Sequence, residues 1–331
     1  MRNTNTDVEK QTIHGFFSEA GHDDRPFIYE VTTLASNPLF PNLLVTARQP
    51  SVPSTSTERD FYPLADADLP LGPVCFSAMV SFRPEGISQL DAQESPPQER
   101  FREILQSRKP AEWNPSPITD IEGILGFIPG ARKAVGMFPG LEMRKVDMTS
   151  YNKGRPMYER REIILYRLLA PLPANAPTSE SGSEEESDGP DAHICAHAFG
   201  ADRNGLLMIG NHAGYGNELG RAASLSYSFV VHVDAADAVM NYCSDDNEID
   251  KDEGKGNSNS NSNSKSYTDG EWWLQETSFP RVQTGRGIVH SKIWSPRGVH
   301  VATEYQDGII RRKPRPGDKV AIKERMEAFK L

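Results

Sequence analysis

The chain has 331 residues, 37% hydrophobic and 25% charged, enough for about two domains of ordinary size. A net charge of −10 and a pI near 5.4 argue against nucleic-acid binding, which calls for a basic surface. Much of that acidity lies in 180–191 and 245–253, so the remainder leaves room for an anionic substrate.

From the N-terminus, MRNTNTDVEKQ lacks the apolar region of a secretion signal, and no later stretch is long and apolar enough to span a bilayer. The run FIYEVTTL (27–34), rich in β-branched and aromatic residues, predicts a strand, and PVCFSAMVSF (73–82) a second. A stretch crowded with Pro, Glu and Gln follows, within which 99–106 could form one amphipathic helix. The segment MYERREIILYRLL (157–169) fits a strand or a helix by periodicity alone. Residues 191–209 have roughly helical spacing, and SLSYSFVVHV (224–233) predicts a strand. Three further strands are expected at 271–279, 285–294 and 299–311, with Pro280 and Pro296-Arg297-Gly298 marking the turns. An antiparallel meander after a helix indicates an α+β fold.

The boundaries that follow are 1–90 for a first domain, 91–136 for a linker, 137–316 for a second domain and 317–331 for a tail. Acidic and Asn/Ser-rich insertions at 174–190 and 241–269 bury too little apolar surface to order themselves.

The common catalytic signatures are missing: no GxSxG, no Walker A loop and no HExxH. His193 and His197 stand four residues apart on the expected helix without a third ligand, which favours a place in the core over a metal site. Cys75, Cys195 and Cys243 form no CxxC pair, which suggests neither a disulfide framework nor a zinc site and fits a reducing, intracellular setting. The segment GNHAGYGNELG (210–220) lacks a nucleotide-binding pattern and reads as a glycine-rich loop.

The informative segment is GRGIVHSKIWSPRGVHVATEYQDGIIR (285–311). It resembles the end of the type II acyl-CoA thioesterases, the family of bacterial thioesterase II and the peroxisomal long-chain acyl-CoA thioesterase. Other blocks agree in order: IHGFFSEAGHDDRPFIYEVTTL (13–34), 73–84, 142–169 and 198–214. The resemblance implies a double hot-dog fold, in which two antiparallel sheets each wrap a helix. It implies hydrolysis of acyl-CoA without cofactor or metal, and an active trio that falls on Asp202, Ser224 and Gln306. Thioester hydrolysis needs a held water, a base for its proton and donors for the developing charge, for which a carboxylate, a hydroxyl and an amide are suited. Ser226 and Ser228 follow Ser224 at period two and are expected on its strand face.

The chain departs from the family pattern in two places. Ser226-Tyr227 replaces a polar pair, although His232 keeps the strand's closing histidine. No Gly-Gly-Gln helix precedes residue 13, so the first hot dog is expected to be incomplete, leaving apolar residues among Phe16, Ile28, Val31, Val74, Phe76, Met79 and Phe82 to be covered by another copy, by 99–106 or by an upstream segment. A homo-oligomer is therefore expected. The C-terminal Phe329-Lys330-Leu331 is similar to the Ser-Lys-Leu peroxisomal address, so both cytoplasm and peroxisome remain open. Two other readings stand beside the thioesterase: a non-catalytic acyl-binding double hot dog, and a hydratase, which would need an Asp/His pair where Asp202 is followed by Asn204 and Gly205.

Overall fold

The computed structural model describes residues 8–37, 40–55, 62–84, 86, 88–116, 140–172, 189–203, 205–242 and 271–313. The insertions expected to be disordered fall almost wholly outside these, as does the 317–331 tail.

Eleven strands form one antiparallel sheet in the order β2-β3-β4-β1-β8-β11-β10-β9-β7-β6-β5. The first half comprises β1 (Val8–Phe17), β2 (Ile28–Ala35), β3 (Asn42–Pro50) and β4 (Leu71–Pro84). The second comprises β5 (Asn114–Pro115), β6 (Leu141–Lys145), β7 (Glu162–Leu168), β8 (Leu219–Val231), β9 (Trp273–Gln283), β10 (Arg286–Trp294) and β11 (His300–Arg312). The halves join through β1 and β8, with Ile13 opposite Phe229 and Gly15 opposite Tyr227. Short helices α1 (Pro97–Arg100), α2 (Arg102–Leu105) and α3 (Thr149–Asn152) precede α4 (Pro190–Ala201) and α5 (Gly205–His212).

The second half buries α4 and α5 against one face of its sheet. Ile194, Leu206, Met208 and Ile209 pack there on Phe229, Val289, Ile293 and Ile310. The opposite face is covered by the linker, where Phe101 and Trp113 meet Ile163, Leu165, Leu274 and Trp294. Arg100 fixes this cover by donating to both carboxylate oxygens of Glu276 on β9, at 2.8 and 2.5 Å. The single helix expected at 99–106 is thus two short turns, and it packs on the second half.

Three expectations change. Pro280 lies inside β9, where a register shift between Ile288 and His290 marks a bulge that tolerates the missing N–H. The turn comes at Thr284-Gly285, both with positive φ (53° and 75°), as a two-residue hairpin of this twist requires. Residues 210–212 close α5 rather than open a loop.

Glycine at 308 is a packing requirement. A Cβ there would stand 2.2 Å from Leu206 Cδ1 and 2.6 Å from the Ala223 carbonyl oxygen. Gly308→Ala should therefore destabilise the protein by about 1–3 kcal/mol, an overpacking cost checked by denaturant unfolding.

Candidate active site

Along β11 the even-numbered residues Ala302, Glu304, Gln306, Gly308 and Ile310 are buried on the helix-facing side of the sheet. Asp202 caps the C-terminus of α4, its N–H donating to the Ala198 carbonyl at 3.1 Å. This places the carboxylate over the middle of β11.

Ser224 reaches the same side only because β8 is irregular. Asp307 pairs with Ser226 and Gly308 with Ser224, so one step on β11 spans two on β8 and Leu225 is the extra residue of a bulge. Beyond it, Tyr227 and Phe229 face the helices; before it, Ala222 and Ser224 do. Ser226 and Ser228 consequently lie on the opposite face from Ser224, and Ser228 meets His14 Nδ1 there at 2.9 Å. The uniform period-two reading of this strand fails at the bulge.

The structure brings the three expected residues together. Gln306 Nε2 donates to Asp202 Oδ1 and to Ser224 Oγ, the latter at 3.0 Å. An amide nitrogen carries two hydrogens, so in this arrangement Gln306 holds its neighbours and has none left for an oxyanion. Ser224 accepts from Gln306 and keeps its own hydrogen to donate. Gln306 Oε1 is buried without a hydrogen-bond partner among the described residues. It lies close to Gly205, where a Cβ would stand 3.3 Å from that oxygen and 3.0 Å from Val289 Cγ1.

Asp202 keeps solvent access, yet the surrounding protein desolvates its carboxylate and raises its pKa above the ordinary value, with the Gln306 hydrogen bond opposing. Tyr227 belongs to the pair Ser226-Tyr227 that departs from the family pattern. Its hydroxyl donates to the Ala198 carbonyl at 2.8 Å and ties α4 to the sheet. Glu304, fully buried two residues before Gln306, was not singled out by sequence. Its signal was its position, since residues two apart on a strand share a face.

His197 is spent in the core, between Tyr166 Oη (2.7 Å) and the Ala238 carbonyl (2.8 Å). Burial lowers its pKa to about 4. A separate cleft of about 1330 Å³, lined by Arg83, His232, Trp273, His300 and Thr303, opens around the start of β11. It reaches β11 at His300 and Thr303, the nearer of them three residues from Gln306, on the order of 10 Å at ~3.4 Å per residue, and on the opposite face of the sheet. Functional weight rests on the trio, because there a base, a hydroxyl and an amide converge.

Helix-facing residues of the first half continue this surface. The Phe17 ring packs tilted against Phe76, centroids 4.8 Å apart, and the Phe76 ring occupies the space that a Cβ at Gly15 would need. Phe76 pairs with Ala47 and Ala47 with Tyr29, which is 64% exposed, as is Val31 at 57%. Of the apolar residues expected on this face, Val31, Phe76 and Phe82 are there, whereas Phe16 and Met79 lie opposite it, paired with Ser226 and His14.

Among solved structures, the chain is similar to the acyl-CoA thioesterase II TesB2 of Mycobacterium marinum, with a TM-score of 0.53 and 20% identity over 94% of this chain and 82% of that one. It also matches the tesB protein of Mycobacterium avium subspecies paratuberculosis (TM-score 0.48, 15% identity, 93% and 81% covered). A third match is a hot-dog-fold protein of Alicyclobacillus acidocaldarius (TM-score 0.46, 10% identity, 94% and 82% covered). No protein-family model and no curated protein matches the sequence. The fold is a hot-dog fold.

Proposed function

We propose that the protein is a type II acyl-CoA thioesterase, hydrolysing an acyl-CoA to a free acid and coenzyme A. The observation that carries this reading is the hydrogen-bonded network of Asp202, Gln306 and Ser224 on a hot-dog sheet. A water held by Asp202 and Ser224 attacks the thioester carbonyl carbon, and Asp202 accepts its proton. Collapse of the tetrahedral intermediate breaks the carbon–sulfur bond, and the departing thiolate takes the proton back. Gln306 keeps base and hydroxyl in register. The apolar surface that starts at Phe17 on β1, next to the strand of Ser224, and runs through Phe76 to Val31 on the edge strand offers a bed for the acyl chain. The acid released would belong to fatty-acid or specialised-metabolite turnover.

Free-thiol release from a panel of acyl-CoAs tests this; no release from any chain length would leave a non-catalytic acyl-binding protein. Two finer expectations follow from the geometry. Ser224→Ala should reduce turnover about tenfold or more while Ser226→Ala, on the far face, leaves it near wild type. Equal losses in the two variants would count against the bulge as the device that aims Ser224. Activity should also fall as pH drops through the raised pKa of Asp202, because the base must be ionised. The acid limb of kcat should accordingly lie above the ordinary aspartate range, which a pH–rate profile measures.

A further inference from the structure

Behind the trio, the helix-facing side of β9, β10 and β11 carries polar groups where a core would hold apolar ones. Gln275 is 1% exposed, and Thr277, Ser291 and Glu304 are 0% exposed. Thr277, Ser291 and Glu304 form one row across the three strands through the pairs Thr277–Ser291 and Ser291–Glu304. Thr277 Oγ1 lies 3.1 Å from Ser291 Oγ. Gln275 Nε2 donates to Ser291 Oγ at 3.2 Å and to the Ala201 carbonyl at 3.0 Å. Ala201 is the last residue of α4 and directly precedes Asp202. The sheet therefore grips the helix end that carries the candidate base.

We propose that this layer positions Asp202 for the hydrolysis proposed above, and that Glu304 serves in it as a neutral carboxylic acid whose lack of charge keeps Asp202 available as the base.

Burying a polar group costs stability unless it is paired, so four in one layer need a reason. No cation among the described residues pairs with Glu304. The titratable groups that act on it or feel it are Asp202 from the end of α4 and Tyr227 from β8, with the Ser291 hydroxyl beside it on β10. Burial pushes its pKa well above the usual carboxylate range, Ser291 opposes this, and the charge of Asp202 adds to it. Two neighbouring carboxyls resist ionising together, and environment decides which keeps the proton. Asp202, open to solvent and held by the Gln306 amide, is the one that ionises; Glu304, enclosed, is the one that stays neutral.

The experiment compares the wild-type protein with Glu304→Gln and Gln275→Met. In acid, Glu304 is protonated in folded and unfolded chains alike, and its contribution to stability is fully present. As pH rises past the ordinary carboxylate range, the unfolded chain releases this proton and the folded one does not, so stability is lost up to the raised folded pKa. Glutamine cannot titrate. The melting temperature of Glu304→Gln should therefore rise relative to wild type between acid and neutral pH, and a pH-independent difference would overturn the neutral-acid assignment. Gln275→Met should lower kcat by about 10- to 100-fold with KM little changed, and should shift the titration of Asp202 followed by carbon NMR of labelled aspartate. Unchanged kcat together with an unchanged Asp202 titration would overturn the positioning role. If Gln275→Met fails to fold, Gln275→Leu, which removes the donor and adds no titratable group, gives the same reading. A wild-type protein that hydrolyses no acyl-CoA would sink the thioesterase reading on its own, since melting and NMR still report on the layer.

Discussion

Asp202→Asn is expected to reduce acyl-CoA hydrolysis by about 10²-fold or more, with the melting temperature nearly unchanged. Asparagine fills the same space and can still meet the Gln306 amide through its oxygen, so the network keeps its shape while losing its base. Gln306→Ala should cost a similar factor for a different reason. It removes the amide that holds both Asp202 and Ser224, leaving base and hydroxyl correct in kind and unfixed in position. Because both variants act on one unit, the double variant should lose little more than either alone. The measurement is coenzyme A release under saturating acyl-CoA, with circular dichroism to verify folding. Near-full activity in Asp202→Asn would mean that another group takes the proton of the attacking water, and the mechanism would be wrong.

The second large effect expected is association of the protein through the helix-facing side of its first half. Tyr29 and Val31 on the edge strand are mostly exposed, and Phe17, three strands away on the same face, is 39% exposed. Covering a large apolar side chain is worth roughly 1.5–3 kcal/mol, and contiguous patches of this kind drive self-association. An edge strand adds unpaired backbone groups that a second copy can bond. Size-exclusion chromatography with light scattering should show a dimer or larger species, and Tyr29→Lys with Val31→Lys should shift it towards monomer. A wild-type protein that stays monomeric at high concentration would show that this face is satisfied within the chain.

Much of the fold was legible where local pattern and environment agree. The strands around 28–35, 71–84 and 286–312 announced themselves through β-branched and aromatic runs that the sheet then uses. Strand β3, NLLVTARQP, was missed because Pro41 just before it and Pro50 at its end read as loop. Pro280 was misread because a bulge and a turn both accept proline, and only the pairing of β9 with β10 tells them apart. Asp202, Ser224 and Gln306 could be named through the family resemblance, since nothing local marks them: they are far apart in sequence and meet only through β8, β11 and the end of α4. The bulge at Leu225 and the burial of Glu304 depend on contacts across strands, which one-dimensional periodicity does not carry.

The seam between β1 and β8 has a consequence for how the molecule can be divided. The hydrogen bonds between Thr12–Phe16 and Ser226–Val230 make the two halves one sheet, so neither half ends in a natural edge at that line. Cutting the chain between them would bare β8 along the strand that carries Ser224, next to the strand that carries Gln306. A freshly exposed, apolar-flanked strand is a template for pairing with other chains, and natural edges carry charges or bulges against this. The half that carries the trio is therefore inseparable from strands that contribute none of it, and the first half acts as its permanent edge guard.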